Sequence, residues 1–124
     1  MTIPILIVEA HPALRAALRA LLEKEGDFEV VGETASAGEI PRLARELRPR
    51  VILLDSALPD LQLFPAICRL HGVLPEATVL LLIDSENRHL EQDALRAGAA
   101  GCVVTRAAGA TLASLVRALA QDDV

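Results

Sequence analysis

Aromatic side chains are nearly missing from this 124-residue chain: Phe28 and Phe64 are the only two, and there is no Trp or Tyr. A core therefore has to be built from Leu, Val, Ile and Ala, and the stacking platforms that bind nucleic-acid bases are absent. Positive charge is also short. The formal net charge is −5 and the arginines are scattered, which argues against nucleic-acid binding by this domain itself. No apolar run approaches the ~18–20 residues that cross a bilayer, so no membrane contact is expected. Met1-Thr2-Ile3-Pro4 lacks a basic segment followed by an apolar one, so no export signal is visible and a cytoplasmic location is expected. The two cysteines, Cys68 and Cys102, have no metal-ligand spacing and sit among apolar residues, which predicts two free, buried thiols.

What is present is a full complement of aliphatic residues. Hydrophobic residues make up 52% of the chain, enough for a core, and 1–124 reads as a single domain with no linker or repeat. Ile3 to Val8 reads as a buried strand ending at Glu9. Pro12 suits a helix start, and Leu14, Leu18, Leu21 and Leu22 form its apolar stripe, with Gly26 stopping it. Phe28 to Gly32 is a short strand, and Ser36-Ala37-Gly38 a turn. Ile40, Leu43, Ala44 and Leu47 make a second helix, with Pro41 in its first turn and Pro49 beyond its end.

Val51-Ile52-Leu53-Leu54-Asp55 is the stretch around which the rest is arranged. Four apolar residues end in a carboxylate, the mark of a strand buried on both faces. Asp55 is then either a turn-former or a group facing the crevice where open parallel sheets place ligands. Phe64, Ile67, Cys68 and His71 suggest a third helix, and Gly72 to Pro75 a loop. Thr78 to Ile83 is a fourth apolar strand, and Asp84-Ser85-Glu86-Asn87 a polar loop leading into a helix. Leu90, Ala94, Leu95 and Ala97 stripe that helix, which ends at Gly98. Gly101 to Val104 is a fifth strand, and Thr111 to Gln121 a last helix carrying Leu112, Leu115, Val116 and Leu119. Asp122-Asp123-Val124 reads as a cut or a solvated tail.

Strand and helix alternate five times, which implies a doubly wound α/β domain with a parallel sheet in the flavodoxin-like order 2-1-3-4-5. In that order the first and third strands are neighbours, so Glu9 and Asp55 converge on one crevice. Two carboxylates there either hold a hard cation such as Mg²⁺ or repel each other. His11, His71 and His89 share no spacing and read as loop or surface residues.

Three stretches together carry a family resemblance: Ile5-Leu6-Ile7-Val8-Glu9-Ala10-His11-Pro12, Val51 to Asp55 with Pro59, and Ala97-Gly98-Ala99-Ala100-Gly101. They resemble the response regulator receiver domain of two-component phosphorelay signalling. The similarity is greatest to the subgroup with a C-terminal helix-turn-helix DNA-binding domain, and extends to Phe28-Glu29-Val30-Val31-Gly32-Glu33 and Leu43-Ala44-Arg45-Glu46-Leu47-Arg48-Pro49. The resemblance implies that Asp55 accepts a phosphoryl group from a sensor histidine kinase, that Glu9 and Asp55 hold Mg²⁺, and that transcription is the regulated output.

The departures fall on the switch. The family's second acid after the first strand is Ala10. Its Thr or Ser ending the fourth strand is Ile83, its Lys after the fifth strand is Thr105, and its switching aromatic is Cys102. The family's Gly shortly after Pro59 falls at Leu63. Phosphoryl transfer depends on positioning and on neutralising charge at the equatorial oxygens. The expectation is a degenerate receiver, not an enzyme, that labels slowly or not at all and works through protein contacts. Asp84, Ser85 and Arg106 are the residues able to substitute, although they read as solvated loop positions. Cys102, Val103, Val104, Ala107, Ala108, Ala110 and Ala113 suggest a small apolar surface for a homodimer formed by the fourth helix, fifth strand and fifth helix. A working Mg²⁺-dependent acceptor is the alternative. A flavodoxin-like nucleotide or small-acid binder is weaker, because no Gly-rich loop follows the first strand.

Overall fold

The computed structural model describes residues 2–105 and 109–121. The elements run β1 (Ile3–Val8), α1 (Pro12–Glu23), β2 (Phe28–Thr34), a 3₁₀ turn (Ala37–Glu39), α2 (Ile40–Leu47), β3 (Val51–Asp55), α3 (Leu63–Val73), β4 (Thr78–Ile83), α4 (Arg88–Ala97), β5 (Gly101–Val104) and α5 (Gly109–Gln121). All pairings are parallel, in the order β2-β1-β3-β4-β5. This is the expected flavodoxin-like arrangement. No helix among the described residues is long and apolar enough to cross a membrane.

Alternation along the central strands splits the core into two layers. Ile5, Ile7, Leu53, Leu80 and Leu82 face Leu18 and Leu22 of α1 and Leu112 and Val116 of α5. Leu6, Val8, Ile52, Leu54, Leu81 and Ile83 face Ile40, Ala44, Ile67, Leu70 and Ala94 of α2, α3 and α4. Each fully buried aliphatic side chain contributes roughly 1.5–3 kcal/mol of transfer free energy. With so few rings available, this two-sided aliphatic sheet is what holds the fold.

The N-terminal ends of the helices follow from local chemistry. Pro12 occupies the first turn of α1 and Pro41 that of α2, where no intrahelical N–H is needed. The Asn87 side chain caps α4 by accepting from the Leu90 N–H at 3.1 Å. At their C-terminal ends, α4 closes on Gly98 at φ 118° and α2 on Arg48 at φ 47°, both in the left-handed region. α5 is tied to the loop before β2 by Arg117. Its guanidinium grips both oxygens of Asp27 at 2.6 and 2.9 Å, reaches Glu25 at 3.0 Å, and stacks over the Phe28 ring.

Several expectations are corrected. α1 ends at Glu23, and Gly26 has no left-handed cap conformation. β2 runs on to Thr34, with a register shift that leaves Val31 out of the pairing. α3 continues through Gly72 to Val73, so only a short loop precedes β4. Ile67 and Leu70 face the core from α3, while Phe64 and Cys68 are exposed, so the two thiols are not both buried. Leu95, read as part of the α4 stripe, is 46% exposed. α5 begins two residues before Thr111. Among the described residues, the small apolar side chains of β5 and α5 divide between the two layers. Val103 and Ala113 pack into the α1–α5 layer, and Cys102 and Val104 lie against the other. Ala107 and Ala108 lie outside the described residues.

Candidate functional site

Register brings the two acids together. β1 and β3 are parallel with Val8 opposite Leu54, so the next residues, Glu9 and Asp55, stand side by side at the C-terminal edge of the sheet. Both are buried, at 1% and 6% exposure. Asp55 Oδ1 accepts the Ala57 N–H at 2.9 Å, and Oδ2 accepts the Ala10 N–H at 3.5 Å. Glu9 Oε2 accepts the His11 N–H at 3.1 Å and lies 3.1 Å from His11 Nδ1. Burial first, then the neighbouring Asp55, holds the Glu9 carboxyl above its ordinary range. Its hydrogen bond and charge in turn push the His11 ring up.

The walls of the crevice are fixed by backbone and loop contacts. The Glu9 N–H donates to the Thr34 carbonyl at 3.0 Å, and Arg15 Nη1 donates to the Glu9 carbonyl at 2.8 Å. The loop after β3 is anchored by Asp60. Its carboxylate accepts from the Ser36 hydroxyl and from the Ala37 and Gly38 N–H groups, at 3.0 to 3.3 Å. Those donors hold the Asp60 carboxyl below its ordinary range, the Ala37 N–H most of all.

Ala10, Ile83, Cys102 and Thr105, where a departure from the resembled family was expected, lie after β1, at the end of β4, on β5 and just after β5. Ile83 is 4% exposed and packs into the α2–α4 layer. Its carbonyl accepts the Thr105 hydroxyl at 3.4 Å. Cys102 is half-buried on β5, and burial raises its thiol pKa. Ala10 contributes a backbone N–H but no carboxylate. Asp84 and Ser85 are exposed and make no hydrogen bond among the described residues, and Arg106 lies outside them.

The donor set can be tested against a cation. One ligand atom each from Glu9, His11 and Asp55 falls within 4.8 Å of the others. Two carboxylate oxygens suit Mg²⁺, which keeps several waters and binds through one or two carboxylates. The residues present fit such an ion through Glu9 and Asp55. His11 is an exposed loop residue, as expected, and its ring lies against Glu9 in this cluster. Its place two positions after Glu9, at the foot of a Pro-capped helix, was the available signal. The anchor made by Asp60 had no local signal, because Ser36 is distant in sequence.

A profile of the response regulator receiver domain matches residues 5–117. The chain belongs to that family. BvgA of Bordetella pertussis, named for positive transcription regulation of virulence factors, is 39% identical over 99 residues, covering 80% of this chain and 47% of that protein. The response regulator VraR of Staphylococcus aureus is 32% identical over 117 residues, covering 94% of this chain and 56% of that protein. The receiver thus spans about half the length of these relatives. A LuxR-family two-component response regulator from Aurantimonas sp. SI85-9A1 superposes with a TM-score of 0.91 at 30% identity, covering 98% of this chain and 87% of that one. The receiver domain of NarL from Mycobacterium tuberculosis has the same fold, with a TM-score of 0.90 at 22% identity and 97% of each chain covered.

Proposed function

We propose that this receiver controls a transcription-regulating output through protein contacts, with phosphorylation of Asp55 slow or absent. The observation that carries this reading is the bond between Thr105 and Ile83. A hydroxyl at the lysine position is turned onto the backbone of the very residue that lacks a hydroxyl of its own. A phosphoryl group on Asp55 would find the Ala57 and Ala10 N–H groups, but neither a cation nor a hydroxyl from those two positions. Removing one preorganised donor costs roughly 2.7–4 kcal/mol in the transition state. Several such losses, even if far from additive, leave little catalytic help.

A sensor histidine kinase or another signalling protein is the upstream partner in this reading, and Mg²⁺ binds weakly through Glu9 and Asp55. In the same reading a second copy docks on the α4–β5–α5 face, and α4 carries the exposed Leu95. The experiment is an amide NMR titration with Mg²⁺ and beryllofluoride. The expected result is a weak response to Mg²⁺ alone and no further saturable shift at Ala10, Ala57 or Thr105 on adding beryllofluoride. Saturable shifts there would establish the other reading, a working Mg²⁺-dependent acceptor.

A further inference from the structure

We propose that the groove between α2 and α3 binds a small aliphatic carboxylate, with Arg69 as the anchor for its head. A cavity of about 390 Å³ opens there, lined at one end by Asp60, Leu61 and Gln62 of the loop before α3. That is within the ~300–1,000 Å³ of small-molecule pockets. Its floor is apolar. Ile40 and Ala44 of α2 and Leu70 of α3 line it and are buried. Val73, at the last position of α3, lines it too and is 44% exposed, so a ligand there would take apolar surface out of water.

Charge decides the class of ligand. Two charged residues line the cavity, and they are not equivalent. The Asp60 carboxylate already accepts from the Ser36 hydroxyl and from the Ala37 and Gly38 N–H groups. Arg69 makes no hydrogen bond or ion pair among the described residues. Arg15, Arg19, Arg42, Arg96 and Arg117, by contrast, each meet a carboxylate of the chain itself. The unmatched charge at the cavity is therefore positive, and its complement is an anion. The two oxygens of a carboxylate match the fork of a guanidinium. Arg69 lies about 9 Å along α3 from its start, whereas Asp60 precedes the helix, so an anion on Arg69 stands clear of the Asp60 charge. One open cation beside one fixed acid suits a monoanion, and the apolar floor suits an aliphatic body. The loop after β3 reaches both sites: its Ala57 N–H donates to Asp55, and its Asp60, Leu61 and Gln62 line the cavity.

The inference goes beyond the functional reading and does not depend on whether Asp55 accepts phosphate. The test is an amide NMR titration of the chain with octanoate and, separately, octanol and octylamine, all kept monomeric. It is run on the native protein, Arg69→Gln and Ala66→Leu, with thermal melting to check folding. Ala66 lines the cavity from α3, so the larger side chain of Ala66→Leu fills it. The expected result is saturable binding of one octanoate, read at Ile40, Ala44, Leu61, Leu70 and Val73. It should be about fivefold tighter than octanol, as an exposed ion pair allows, and tighter than octylamine. Arg69→Gln brings octanoate down to the affinity of octanol and leaves octanol nearly unchanged, and Ala66→Leu weakens both. Should Ala66→Leu fail to fold, Arg69→Gln, at an exposed position, still decides. No saturable octanoate binding, octanoate no tighter than octanol, octylamine tighter than octanoate, octanoate binding indifferent to Arg69→Gln, or shifts centred on another face would each overturn the proposal.

Discussion

The Thr105 hydroxyl donates to the Ile83 carbonyl across 3.4 Å, so two residues that the proposed reading sets at the switch are bonded to each other. In that reading neither supplies a group to Asp55. An ordinary neutral hydrogen bond contributes about 0.5–1.5 kcal/mol. Thr105→Val should therefore lower stability by about 1 kcal/mol or less, measured by urea unfolding, without changing any labelling of Asp55.

Putting the charge handlers back should restore chemistry. The double substitution Ile83→Thr, Thr105→Lys supplies a hydroxyl and a cation beside the buried Asp55 carboxylate. Each such donor is worth roughly 2.7–4 kcal/mol in a preorganised site. A gain of at least about tenfold in labelling by acetyl phosphate is expected, with a larger gain when Ala10→Asp is added. An unchanged rate would mean that something other than these positions sets the barrier.

The two left-handed helix caps make a matched pair. Gly98 sits at φ 118°, and the His71 ring lies 3.4 Å from where a Cβ would stand. Gly98→Ala should cost about 1–2 kcal/mol, because the left-handed region is unfavourable for a residue with a Cβ. Arg48, at φ 47°, already bears that strain. Arg48→Gly should stabilise the fold, by less than about 1 kcal/mol once the greater freedom of unfolded glycine is counted. Urea midpoints for the two variants should move in opposite directions.

Acid should loosen α5. The Arg117 guanidinium holds the Asp27 carboxyl below its ordinary value of 3.8. A carboxylate with a depressed folded-state pKa stabilises above its unfolded value and loses that contribution as pH falls through the depressed one. Below about pH 3.8 the melting temperature of the native chain should fall more steeply than that of Arg117→Gln. At neutral pH the native chain should be the more stable of the two, and thermal melts across the range check both statements.

Self-association, if it uses the proposed face, should respond to Leu95. A charge there removes an exposed apolar contact without touching the core, since the side chain is 46% exposed. Leu95→Glu should shift the sedimentation profile to monomer while leaving the melting temperature within a few degrees. A dimer that survives the substitution would place the contact elsewhere.

The sheet was legible because its strands are buried on both faces and so read as unbroken apolar runs, Val51–Asp55 and Thr78–Ile83 above all. The pairing of Glu9 with Asp55 followed from strand order alone. What escaped the sequence was set by tertiary contact. The expected stripe of Phe64, Ile67, Cys68 and His71 fits the 3.6-residue period as well as one centred on Ile67 and Leu70, and only the packed partner on the sheet chooses between them. Gly72 does not end α3, because a single glycine costs only about 1 kcal/mol and packing outweighs it. His11 reads as loop until the chain turns at Pro12 and returns its ring to Glu9. Nothing near Asp60 foretells that it will hold the turn at Ser36.

The central claim is that Asp55 stands in a receiver crevice without the partners that phosphoryl transfer needs. Intact-mass measurement after incubation with Mg²⁺ and acetyl phosphate tests it most directly. The account predicts no stoichiometric mass gain over a time in which the Ile83→Thr, Thr105→Lys variant gains one. A full single-phosphoryl gain on the native chain, abolished by Asp55→Asn, would contradict it.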